Sequence, residues 1–167
     1  MKLPPYDIFP NISGDKVSLR QIQPSDIPAI IDISFYDAVA ASTTEEAMEM
    51  QEKINNDYEQ GDSIHWGIFD NASGSIVGTC GYYRGFHGGA GELGCVLLPQ
   101  FQGQGFMTAA MQLAIDFGIE QMRLRRIWAA TATENHKARK LFERLNFKEV
   151  RETPDGEVGL ELVQENV

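Results

Sequence analysis

Apolar and polar residues alternate from Lys16 to Gln23, the period of a half-buried strand. Pro24-Ser25-Asp26 then opens a short helix that puts Ile27, Ile30, Ile31 and Ser34 on one face. Thr43-x-x-Glu46 has the form of a capping box, and Ala47, Met50, Ile54 and Tyr58 follow at helical spacing until Gly61 closes the segment. Strands are expected at about 65–70, 76–86 and 92–98, joined by turns at Asn71–Gly74 and His87–Gly91. A helix from Gln104 to about Glu120 is apolar nearly all round (Met107, Ala110, Met111, Ala114, Ile115, Phe117), which predicts burial on two sides. Arg126–Thr131 reads as a strand and Asn135–Leu145 as a helix. A final hairpin pairs Phe147–Arg151 with Glu157–Val163 through Pro154-Asp155-Gly156. This order predicts an α/β fold, a mixed central β-sheet with helices on both faces. With no internal repeat, low-complexity tract or linker, the 167 residues suit one domain, residues 1–15 being an extension.

The run Leu98-Pro99-Gln100-Phe101-Gln102-Gly103-Gln104-Gly105 leads straight into the apolar helix. The first turn of a helix has unpaired N–H donors at the positive end of the helix dipole. Glycines there let a phosphate approach the backbone, so the loop suits the diphosphate of a cofactor. It lacks the Gly-Lys-Ser/Thr ending of a P-loop and the three glycines of a dinucleotide fingerprint. Taken alone it could equally be a strand-to-helix turn.

A second segment follows, Thr133-Glu134-Asn135-His136-Lys137-Ala138-Arg139-Lys140-Leu141-Phe142-Glu143-Arg144-Leu145-Asn146-Phe147. Together the two resemble the GCN5-related N-acetyltransferase (GNAT) family. Gln100, Gly103 and Gly105 match its Gln/Arg-x-x-Gly-x-Gly/Ala acetyl-CoA loop, and Asn135, Ala138, Leu145, Asn146 and Phe147 resemble its Asn-x-x-Ser/Ala…Leu-Gly-Phe helix. Val17-Ser18-Leu19-Arg20-Gln21-Ile22-Gln23-Pro24-Ser25-Asp26 is similar to the first strand of the branch that acetylates ribosomal-protein N-termini. The resemblance runs from about Lys16 to the C-terminus. It implies a GNAT-like fold with a splayed strand pair at the cofactor site, and transfer of an acetyl group from acetyl-CoA to a primary amine.

The net charge of −10 disfavours a nucleic-acid partner. Its distribution adds more. Nine cationic and three acidic residues lie between Arg123 and Arg151, a local +6, so the rest of the chain carries −16. Nine acidic residues and one lysine lie between Asp37 and Asp70. Such segregation agrees with a phosphorylated cofactor at one end and a cationic acceptor at the other, although charge runs are more commonly solvated faces. No apolar run reaches the ~20 residues of a membrane span. Cys80 and Cys95 sit singly on expected strands, which argues for a reducing, cytoplasmic compartment and against a disulfide framework or a metal site. A strand near the C-terminus offers an edge for pairing with a second copy.

Acetyl transfer requires holding the cofactor, polarising the thioester, deprotonating the amine and protonating the thiolate. The backbone N–H groups of Gln102, Gly103, Gln104, Gly105 and Phe106 are candidates for the diphosphate, with the Thr108 hydroxyl beside them. By resemblance, Cys95, Val96 and Leu97 would hydrogen-bond the pantetheine arm and Asn135 would reach it from the next helix, besides serving as an N-cap. Arg139 or Lys140 would meet the 3′-phosphate, and Phe142 would pack against the cofactor or in the core. Glu92 is the candidate general base; His65 and His87 are alternatives with a suitable unperturbed pKa. Many GNAT enzymes carry a tyrosine before a glutamate on the last helix as the acid, where this chain has Phe142 before Glu143. Tyr82, Tyr83, Cys95 or solvent could replace it; a catalytically silent acetyl-CoA sensor, or a different nucleotide-binding α/β protein, are the rival expectations. The acceptor is a small cationic amine or a protein N-terminus.

Overall fold

The computed structural model describes residues 1–152 and 154–164; the last residues of the expected domain, 165–167, lie outside them. In chain order the strands are β1 (Ile12–Ser13), β2 (Val17–Arg20), β3 (Phe35–Tyr36), β4 (Val39–Ala40), β5 (Ile64–Asp70), β6 (Ile76–Tyr83), β7 (Ala90–Leu97), β8 (Arg126–Ala132), β9 (Phe147–Glu152) and β10 (Glu157–Leu162). The α-helices are α1 (Thr44–Glu59), α2 (Phe106–Glu120) and α3 (His136–Arg144). Eight strands form one mixed sheet in the order β1-β2-β5-β6-β7-β8-β10-β9, with β3-β4 as a separate hairpin. All pairings are antiparallel except β7 with β8, which is parallel. Among the described residues no helix is long and apolar enough to cross a membrane.

Alternation along the strands makes two cores. On one face Leu19, Ile64, Trp66, Ile68, Tyr82, Leu93 and Ile127 pack with Ala110, Met111, Ala114 and Ile115 of α2. On the other, Phe69 and Ile76 meet Ala47 of α1 and Ile22, Ile27 and Ile30 around a 3-10 helix. Gly118 of α2 lets the helix seat closely: a Cβ there would stand 2.3 Å from the Tyr82 hydroxyl. The Tyr82 hydroxyl in turn donates to the Ala114 carbonyl at 2.8 Å.

Several boundaries differ from the expectation. The helix expected from Gln104 starts at Phe106, because Gly105, its N-cap, has φ +82 and cannot join a right-handed turn. It is buried on one side only, since Gln112, Asp116, Ile119 and Glu120 face water. The helix after Pro24 is 3-10 (Pro24–Ile33), consistent with Pro28 removing a donor inside it and Ile30 leaving helical geometry at φ −119, ψ 16. The strand expected to reach Phe86 ends at Tyr83, where Arg84 (φ +59) and Gly85 (φ +83) turn the chain. The strand from Lys16 stops at Arg20. Thr43 caps α1 as expected through the Glu46 N–H (3.1 Å), but the Glu46 carboxylate reaches back to the Ser42 N–H and hydroxyl instead of closing the box on Thr43. The C-terminal edge strand is β9, exposed throughout except Phe147.

Candidate active site

The parallel ladder between β7 and β8 lasts three residue pairs, Ala90↔Arg126, Gly91↔Ile127 and Glu92↔Trp128. Beyond Glu92, β7 continues along β6 to Leu97, while β8 continues along β10. The two strands part there, and Gly94, Cys95 and Val96 become half-exposed. Each arm ends in a helix N-terminus, β7 through the glycine loop into α2 and β8 through Asn135 into α3. A crevice beyond the carboxyl ends of diverging parallel strands is where open α/β sheets bind ligands.

The glycine loop is open. Gly103 (φ +75) has nothing within 4 Å of a Cβ built on it, and at Gly105 only the Lys16 side chain approaches, at 3.3 Å. The Gln102 N–H donates to the Pro99 carbonyl at 3.3 Å, so the donors expected at 102–106 narrow to 103–106. Gln104 pins the loop by donating to the Gln100 carbonyl, and Thr108 is half-buried in the first turn. Phe106 is buried edge-on to Phe101. Lys16 lies far away in sequence, yet its Nζ donates to the Gln104 carbonyl and stands 5.0 Å from the Phe106 ring centre. No signal within the loop points to it.

On the β8 arm, Asn135 caps α3 by accepting from the Ala138 N–H at 3.2 Å. Arg139 is committed to Glu149 through two bonds (2.6 and 3.0 Å) and to the Thr133 carbonyl (2.7 Å), which removes it as a free phosphate ligand and leaves exposed Lys140. Phe142 is buried against Phe147, ring centres 5.1 Å apart, as a core residue.

Glu92, the last residue paired to β8, opposes Tyr83 on β6. Arg84 Nη2 donates to Glu92 Oε1 at 2.8 Å. Burial raises the Glu92 pKa, Arg84 opposes the shift, and Glu157 adds to it. His65 on β5 lies on the same face, its ring 5.7 Å from that of Tyr83, and burial lowers its pKa to about 4, so it is neutral at physiological pH. Burial holds the Tyr83 hydroxyl well above its ordinary pKa. The floor beside these groups is the glycine pair Gly81↔Gly94, and the Tyr83 ring comes within 2.8 Å of a Cβ built on Gly94. Among the described residues, Ser63 Oγ, His65 Nδ1 and Glu92 Oε2 are buried without a hydrogen-bond partner.

The expectation for Tyr82 is overturned. Strand alternation turns it away from Glu92 into the α2 core, where its hydroxyl serves Ala114. Tyr83, one residue on, stands on the Glu92 face. Cys95 keeps its proton, its thiol pushed well above the ordinary range by a hydrogen bond with Cys80 and by burial. His87 is exposed on a 3-10 turn. Ser63 and Arg84 were not singled out from the sequence. The signal for Arg84 is an opposite charge across the β6–β7 turn, visible once register is known.

The family model described as Acetyltransferase (GNAT) domain matches residues 16–148. The chain is 26% identical over 150 residues to an uncharacterised N-acetyltransferase, YoaA, of Bacillus subtilis (strain 168), covering 84% of each. It is 32% identical over 56 residues to the spermidine N(1)-acetyltransferase of Escherichia coli (strain K12), 34% of this chain and 30% of that one. The crystal structure of a ribosomal-protein-S5-alanine acetyltransferase from Vibrio fischeri superposes with a TM-score of 0.76 at 20% identity, covering 93% of this chain and 97% of the other.

Proposed function

We propose that this chain, which belongs to the GNAT acetyltransferase family, moves an acetyl group from acetyl-CoA to the primary amine of a cationic acceptor, a polyamine or a protein N-terminus. The observation that carries this reading is the parting of β7 and β8 after Glu92, with a helix N-terminus at the end of each arm. The donors of Gly103–Phe106 hold the diphosphate, with the Thr108 hydroxyl and the Lys16 ammonium beside them. The backbone of Cys95, Val96 and Leu97 holds the pantetheine arm along the free edge of β7, and one of its N–H groups polarises the thioester carbonyl. Asn135 reaches the arm with its amide NH2, and Lys140 meets the 3′-phosphate. In this reading the chain acts as one N-acetyltransferase domain.

Glu92 takes the proton of the acceptor ammonium, directly or through a water. The amine nitrogen then attacks the thioester carbon. The C–N bond forms, the C–S bond breaks, and the departing thiolate takes the proton of the Tyr83 hydroxyl, which burial keeps protonated. The surplus proton of the acylated nitrogen passes to the Tyr83 phenolate and restores it. The acceptor class is supported by relatives named for spermidine and for a ribosomal protein, and by the acidic residues of α1.

Titration calorimetry of acetyl-CoA, with NAD and ATP as controls, tests the reading on wild type and Gly105→Val. A β-branched residue at φ +82 strains the N-cap by about 1–2 kcal/mol, so a melting curve checks that the variant folds. Acetyl-CoA should bind wild type with micromolar affinity and the folded variant more weakly, while NAD and ATP bind neither. Failure of acetyl-CoA to bind wild type overturns the reading.

A further inference from the structure

The two partners of the Glu92 ion pair live in different solvents. The Glu92 side chain is 9% exposed and that of Arg84 is 80% exposed. A carboxylate taken that far out of water needs a cation beside it. A guanidinium that remains in water is held weakly, because exposed partners gain little from pairing. The turn that presents Arg84 is fixed by its backbone: Arg84 is at φ +59, and the next residue, Gly85, donates its N–H to the Asp62 carbonyl at 2.8 Å. The side chain is therefore free to swing while the turn stays in place.

Among the described residues, the buried polar atoms left without a partner can each accept a hydrogen bond. Ionised Glu92 Oε2 accepts only, neutral His65 has one accepting nitrogen, and the Ser63 hydroxyl accepts as well as donates. Ser63 immediately precedes β5 and His65 lies on it, opposite Gly81 of β6, while Tyr83 of β6 stands opposite Glu92 of β7. A group with several N–H donors and a positive charge suits such a lining. The guanidinium supplies one of those bonds and leaves Oε2 empty.

We infer that Arg84 holds the place of the acceptor's ammonium on Glu92, and that a primary amine enters as its cation by displacing the guanidinium into water. The inference rests on the reading of Glu92 given above. Exchange keeps the buried carboxylate paired at every stage, and it favours acceptors that arrive charged over neutral ones. Arg84 is thus a specificity-determining residue, competing with the acceptor for one carboxylate.

The test compares wild type, Arg84→Met and Arg84→Lys, with spermidine and n-butylamine as acceptors. Above neutral pH, Arg84→Met should lower KM for either amine by about two- to fivefold, and Arg84→Lys should restore it. The groups facing Glu92 fix the pH response: Arg84 from the turn lowers its pKa, Glu157 on β10 raises it, and Tyr83 and His65 share its face. Losing Arg84 removes the lowering influence, so Glu92 ionises at higher pH and the acid limb of kcat/KM moves upward. An unchanged or raised KM, or an unmoved limb, overturns the inference. If wild type turns over neither amine, the Glu92 carboxyl carbon resonance, assigned with Glu92→Gln, is followed as n-butylamine is added to the acetyl-CoA complex. A shift at lower amine concentration in Arg84→Met supports the exchange, and no shift in either protein overturns it. Calorimetry of acetyl-CoA on the same proteins separates the two ideas: intact cofactor binding with unaltered amine behaviour sinks only the exchange.

Discussion

Tyr82 and Tyr83 differ by one step of a strand, and that step decides their chemistry. Tyr82 is fully buried and its hydroxyl donates to the Ala114 carbonyl of α2. Tyr83 faces the other way, opposite Glu92 and beside His65. Both hydroxyls are held protonated by burial, but only Tyr83 stands on the face of Glu92, where the proposed reading puts the leaving thiolate. Tyr82→Phe should therefore cost about 1 kcal/mol of stability and leave kcat unchanged. Tyr83→Phe should lower kcat by about 100-fold with little change in melting temperature or in acetyl-CoA affinity. Denaturation curves and steady-state rates on the two variants check the split. Full kcat in Tyr83→Phe would move the acid to Cys95 or solvent.

At the scale of elements, the seating of α2 on β6 turns on Gly118. Alanine is the better helix former by about 1 kcal/mol, yet a Cβ at 118 would stand 2.3 Å from the Tyr82 hydroxyl and 3.1 Å from Ile127. Gly118→Ala should thus destabilise the protein by about 1–3 kcal/mol in urea unfolding; a stabilised variant would refute this packing. No periodicity rule finds Gly118, because its constraint comes from a strand distant in sequence. The same reason divides what was legible from what was not. The longer strands β2 and β5 to β10, with α1, α3 and the glycine loop, were readable, since alternation, helical spacing and glycine placement are local properties. The start of α2 was misplaced by two residues because a glycine at positive φ caps a helix without any side-chain signal. The β3–β4 hairpin was missed because Asp37 and Ala38 take positive φ (+49 and +63) where glycine or asparagine is the usual sign. Tyr82 and Tyr83 are equal candidates in the sequence because which face is the site depends on register. Lys16 and Arg84 enter through contacts that no spacing within a motif encodes.

Across the whole molecule, the sheet order turns the segregated charge of the sequence into a gradient over the cleft. The acidic α1 packs beside β5 on one side of β7, while β8, α3 and β9 carry the basic stretch on the other. Pairing consumes part of the basic set, Arg126 with Glu161 and Arg139 with Glu149, and leaves Lys137, Lys140, Arg144 and Lys148 exposed. A polyanionic cofactor and a cationic acceptor would then approach along opposite directions of one field. Such a field acts over a screening length that falls from about 30 Å in about 0.01 M salt to about 3 Å in about 1 M. Over that range kcat/KM for spermidine should drop by about tenfold, and that for n-butylamine, with a single charge, should drop less. The difference in slope is the informative quantity, since salt can slow any enzyme uniformly. Equal slopes for the two amines would mean that the acceptor is recognised only at Glu92, and that the acidic face of α1 is a solvated surface without a part in catalysis.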